Sequence, residues 1–101
     1  MNMQAMLAQA RKMQQELEKK LHEFYQKEFE IDYKNKAIVV HIYGSGQIKD
    51  IQIDSTLIDP KDPITLQEMI VEAVNEATKA MKDKVDQIQS SMAPGGFGGL
   101  F

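Results

Sequence analysis

The sequence predicts an α+β subunit in the order α-β-β-β-α, a three-stranded antiparallel sheet between two long helices. Three observations carry this. Both ends of the chain hold long stretches with helical apolar spacing. Between them lie three short segments of strand character, about six or seven residues each. The gaps separating those segments are too short for anything but hairpin turns.

Residues 1 to about 26 read as one helix, free of Gly and Pro and rich in Ala, Met, Gln, Leu, Glu and Lys. Met3, Ala10, Leu17 and Phe24 recur every seven residues, Met6 and Met13 fill the second seam position, and Leu7 and Leu21 widen the stripe. Such a helix runs roughly 37 Å, too long for a small sheet to cover, so part of it should project or find a partner helix.

Glu28 to Lys34 alternates, with Phe29, Ile31 and Tyr33 on one face and acids or Lys34 on the other. Asn35-Lys36 suits a two-residue turn, because Asn tolerates positive φ. Ala37 to Tyr43 is apolar on both faces, with Val39 opposite Ile38, Val40 and Ile42. A strand buried on both sides must be covered twice. The chain's own helices cover one face, and the other is expected to meet a second copy. The expected interface is Ile38, Val39, Val40, Ile42 and Tyr43, in a homodimer formed across the sheets. After Gly44-Ser45-Gly46, Gln47 to Ile53 is the third strand, and Ile48 interrupts its alternation, which predicts a bulge near Lys49.

Asp54 to Asp62 is a connection rich in Asp, Ser and Pro. Asp62 is suited to cap the second helix and Pro63 to open it. From Pro63 to about Met92 the apolar stripe is Leu66, Met69, Ile70, Ala73, Val74, Ala77, Ala80, Met81, Val85, Ile88 and Met92, while Glu68, Glu72 and Glu76 form an acidic stripe. Residues 1–92 are expected to form a single domain and 93–101 a flexible Gly-rich tail.

That order of elements, with these residues, resembles the YbaB/EbfC family over nearly the whole chain. The likeness rests on Met1-Asn2-Met3-Gln4 through Ala10-Arg11-Lys12-Met13-Gln14, on Ile51-Gln52-Ile53-Asp54 followed by Leu57-Ile58-Asp59-Pro60-Lys61-Asp62, on Leu66-Gln67-Glu68-Met69-Ile70 with Ala73-Val74-Asn75-Glu76-Ala77, and on the closing Gly98-Gly99-Leu100-Phe101. Members usually carry glycines where this chain has Lys34-Asn35-Lys36-Ala37, which implies a tighter, stiffer hairpin. The resemblance implies a homodimer with long helices projecting as arms, DNA binding with little sequence preference, and a role in organising the nucleoid.

The net charge of −3 over 101 residues argues against a nucleic-acid partner unless the cations cluster. The candidate DNA contacts are Arg11, Lys12, Lys19 and Lys20 on the first helix, Lys34 and Lys36 at the hairpin tip, and Lys79, Lys82 and Lys84 late in the second helix. Arg11, Lys12 and Lys19 share one side within an arc of roughly 100°. Singly, each cation is better read as a solvated side chain or a helix ion pair such as Glu16–Lys20. No Arg-rich reading motif is present, so base-specific recognition is not expected.

Other chemistry is sparse. His22-Glu23-Phe24-Tyr25-Gln26 opens like a zinc-protease helix but lacks the second His four residues on. Asp54, Asp59 and Asp62 lack calcium-loop spacing and suit turns and caps. No Ser or Thr sits in a nucleophile elbow. No enzymatic activity, cofactor, metal or small-molecule substrate is expected. The chain has no Cys and no apolar run near the roughly 18 residues that span a membrane, so a reducing cytoplasm is the expected setting. Met1 to Lys20 is too polar for a signal peptide. The competing function is a dimeric protein-interaction module built on the acidic, Met-rich helical surface, with little DNA binding.

Overall fold

A computed structural model describes residues 2–92. Helix α1 spans Met3–Gln26, the antiparallel strands β1, β2 and β3 span Glu28–Tyr33, Ile38–Tyr43 and Ile48–Ile53, and helix α2 spans Pro63–Met92. The α-β-β-β-α order expected from the sequence is the order observed. The tail at 93–101 lies outside the described residues.

Local chemistry sets each boundary. Asn2 caps α1, its side-chain oxygen accepting the Gln4 N–H at 2.9 Å. At the other end Lys27 turns extended and gives its N–H to the Phe24 carbonyl at 3.0 Å, releasing the chain into β1. Asp62 caps α2 through the Thr65 N–H at 3.3 Å and the Thr65 hydroxyl at 2.6 Å, with Pro63 as the first helical residue. Both donors hold the Asp62 carboxyl below its usual pKa, the hydroxyl more than the N–H.

The sheet order is β1-β2-β3. Pairing sets Phe29 opposite Ile42, Ile31 opposite Val40 and Tyr33 opposite Ile38, with Ile51 and Ile53 beyond Val40 and Ile38. One sheet face is therefore wholly apolar. The first hairpin closes with the Ala37 N–H on the Lys34 carbonyl at 3.2 Å, around Asn35 and Lys36 at φ 56° and 66°. This is the two-residue turn anticipated at Asn35-Lys36, with one addition: Lys34 is also left-handed, at φ 46°, so the ladder stops at Tyr33–Ile38. The expected bulge is present. The register shifts between His41 and Ile42, and Lys49 is the extra residue that returns Ile48 to the apolar face.

The core is Phe24, Tyr33, Ile38, Val40, Ile42, Ala73, Ala77 and Met81, with Met69, Ile70, Val85 and Ile88 packed beside it. Helix α2 lies on β2, and its small Ala73 and Ala77 bring the two backbones close. Full burial of side chains such as Ile38, Ile42 and Met81 contributes about 1.5–3 kcal/mol each.

Ile38, Val40 and Ile42 correct the expected dimer surface. All three have no exposed area within the single subunit, because α2 covers their face. Val39, on the other face, is also buried without a second chain. Of the five interface candidates only Tyr43 keeps appreciable surface, so the two-sided apolarity of β2 does not demand a partner across the sheet.

The molecule measures 71 × 26 × 18 Å, far from a sphere. Along α1, Phe24 is buried and Leu21, Leu17 and Met13 are half-buried, but everything from Asn2 to Lys12 is exposed. The heptad seam is thus covered at its C-terminal half and bare at its N-terminal half.

Candidate nucleic-acid interface

Arg11, Lys12, Lys19 and Lys20 are all exposed on α1. None of them is ion-paired among the described residues, where the close pairs are Lys49–Glu28 at 2.9 Å, His41–Glu30 at 3.3 Å and His41–Asp50. The Glu16–Lys20 pair suggested by spacing is not formed. The helix-one cations are therefore free to meet phosphate, and the segment that carries them stands clear of the sheet.

The second group is assembled by the fold. Lys84 places its ammonium 5.5 Å above the Phe29 ring, and Lys27 joins it along a shallow groove floored by Phe24, Phe29 and Ile88. Gln87 and Ser91 complete this groove. Lys27 was missed by reading the sequence, because it belongs to neither helix nor strand. Only the packing of the end of α1 against late α2 brings it to Lys84. Lys79 and Lys82 are exposed one turn earlier on α2.

The hairpin-tip pair stands apart. Lys34 lies 5.4 Å over the Tyr33 ring, and Lys36 is exposed beside it. Tyr33 also donates its hydroxyl to Glu72. The acceptor and the burial of the ring both raise the Tyr33 pKa. Strand β1 carries Phe29 near one end and Tyr33 at the other, so the Lys84 and Lys34 groups sit at opposite ends of the sheet, about 13 Å apart along the strand.

The outer sheet face has the opposite character. Glu28, Glu30 and Asp32 from β1 and Asp50 from β3 share it with Val39, His41 and Tyr43. His41 is clasped between Asp50 and Glu30, and the bond to Asp50 is the larger cause of its raised pKa. Glu28 holds Lys49 and raises its pKa in turn. This face repels phosphate and leaves the helices as the cationic side.

The remaining sequence candidates have local roles. Asp54 accepts the Thr56 N–H and hydroxyl, each at 2.9 Å, which lowers its pKa. Asp59 accepts the Lys61 N–H at 2.9 Å. No group of three or more metal-ligating side chains is found among the described residues. His22 faces Gln26 one helical turn on. Among the described residues, no helix is long and apolar enough to cross a membrane.

Comparison with known proteins decides the family. The family model described as the YbaB/EbfC DNA-binding family matches residues 1–97. The chain belongs to the YbaB/EbfC family. Among relatives of this YbaB/EbfC chain, a nucleoid-associated protein of Malacoplasma penetrans is 45% identical over 94 residues, covering 93% of this chain and 99% of that one. A nucleoid-associated protein of Lactobacillus gasseri is 39% identical, covering 81% of this chain and 75% of its own length. One from Ureaplasma urealyticum is 37% identical, covering 97% and 98%. The YbaB/EbfC match spans every described element, the projecting half of α1 included.

Proposed function

We propose that this YbaB/EbfC chain binds duplex DNA as a homodimer with little sequence preference, and that it helps organise the nucleoid in the cytoplasm. The observation that carries the reading is the free cationic side of α1, where Arg11, Lys12 and Lys19 project without ion partners among the described residues. The names of its relatives, nucleoid-associated proteins, point the same way.

The chemistry follows from residue type. Lys is a flexible point charge suited to phosphate rather than to a base edge. Aromatic rings do not alternate with the α1 cations, so stacking on single strands is not supported. Each subunit offers few contacts and a net negative charge, so affinity depends on presenting the patch twice. The acidic outer sheet face turns DNA toward the helices.

The test replaces Arg11, Lys12 and Lys19 together by Ala. All three are exposed, so the fold should survive, as circular dichroism would show. Affinity should fall by a similar factor on several unrelated duplexes. Unchanged binding, or a loss confined to one sequence, would overturn the assignment.

A further inference from the structure

The helices carry two bare apolar stripes that a single subunit leaves without partners. On α1, Met3, Met6 and Leu7 are 75%, 53% and 53% exposed. On the outer side of α2, Ile64 and Val71 are 62% and 58% exposed, and Val71 lines a shallow depression with Gln67, Glu68 and Glu72. Each stripe runs for about two helical turns, roughly 12 Å.

Their charges are segregated. Residues 2–15 include Arg11 and Lys12 and no acid, whereas residues 63–78 include Glu68, Glu72 and Glu76 and no Lys or Arg. Arg11 lies one turn from Leu7 on the same side, and Glu68 lies one turn from Ile64. One stripe therefore has a cationic border and the other an anionic one.

We propose that the N-terminal half of α1 docks on the outer face of the N-terminal half of α2 in a second copy of this chain. The contact cannot form within one subunit. Phe24, at the end of α1, sits beside Lys84 and Ile88, about 30 Å along α2 from Ile64. Met3 lies about 31 Å from Phe24 in an arm that gives the molecule its 71 Å length. Pairing α1 with a second α1, or α2 with a second α2, sets like charges together. Pairing α1 with α2 sets opposite charges together and covers both stripes. In a two-fold dimer the contact occurs twice and closes the assembly. Lys12 and Lys19 lie more than about 100° round the helix from Leu7, so they stay open to phosphate. The inference rests on the self-association proposed above and supplies its surface, now that the sheet core has been removed as a candidate.

The experiment measures mass by light scattering and sedimentation for the parent, Leu7→Glu, Val71→Lys and an equimolar mixture of the two variants. Both positions are exposed, and circular dichroism checks that each variant folds. Leu7→Glu sets an acid against the Glu border, and Val71→Lys sets a cation against the Arg11 border. Each alone should raise the dimer dissociation constant by at least about tenfold, as an unpaired charge at an interface does. In the mixture one contact pairs the new acid with the new cation and the other is the parental contact, so the dimer mass should return. Variants that keep the parent's dissociation constant, or a mixture that stays monomeric, would overturn the docking while leaving a dimeric parent to dimerise elsewhere. A monomeric parent would overturn self-association itself.

Discussion

Gly44 is the residue whose substitution the structure constrains most tightly. A Cβ at this position would stand 2.0 Å from the Phe24 carbonyl oxygen and 2.7 Å from two carbons of the Phe24 ring. Neither can yield easily. The oxygen belongs to the last turn of α1, and the ring is buried and packed 5.2 Å from the Phe29 ring. Relief requires the 44–46 turn to lift off the end of α1. That movement strains the Gly44 N–H bond to the Lys27 carbonyl at 2.9 Å and the Ser45 N–H bond to the Tyr25 carbonyl at 3.3 Å. Overpacking costs about 1–3 kcal/mol, and each hydrogen bond lost adds about 1 kcal/mol. Gly44→Ala should therefore destabilise by about 3–4 kcal/mol and lower Tm by at least about 12 °C. Gly46→Ala is the internal control. Its Cβ would meet nothing within 4 Å, so only the strain at φ +94° is felt, about 1–2 kcal/mol. Urea unfolding of both variants at one fixed protein concentration decides the matter. A Gly44→Ala protein within about 0.5 kcal/mol of the parent, or more stable than Gly46→Ala, would refute the reasoning.

Three further outcomes are expected. Met81→Ala opens a cavity where a side chain only 2% exposed fills the core, and urea unfolding should show a loss of about 2–5 kcal/mol. Lys36→Gly relieves a side chain held at φ 66° and should raise stability by about 1 kcal/mol; a loss would mean that the turn is not strained. His41 has a pKa raised above 6.5, first by Asp50 and then by Glu30 against the opposing effect of burial. Its contribution is complete below about pH 6.5 and fades as pH rises through the higher folded value. His41→Gln should accordingly be less stable than the parent near pH 6, with the gap narrowing by pH 9. A gap independent of pH would show that the clasp contributes nothing through charge.

Most of the fold was legible because each element carries its own period. Phe29, Ile31 and Tyr33 alternate, α2 repeats at helical spacing, and Ile48 betrays the bulge by breaking step. Asp62-Pro63 marks the start of α2 by cap chemistry alone. The dimer surface was misread because periodicity reports that a side chain is buried, not by what. Ile38, Val40 and Ile42 are covered by α2 of the same subunit, and Val39 loses its surface among neighbours on its own sheet. The left-handed Lys34 left no trace, since Lys has no preference for that conformation. At the candidate site, the cations of α1 could be grouped from helical geometry. The Lys27–Lys84 juxtaposition could not, because it joins residues far apart in sequence through the contact between α1 and α2.

The measurement that bears most directly on the DNA-binding proposal is a titration of an arbitrary duplex with the full chain across a salt series. If a dimer meets four to six phosphates through Arg11, Lys12 and Lys19 of each copy, log K should fall linearly with log salt, with a slope between about −4 and −5. The same slope should appear on a duplex of unrelated sequence. Association that ignores salt, or that is absent in dilute buffer, would contradict the proposal and favour the acidic helical surface as a site for a protein partner.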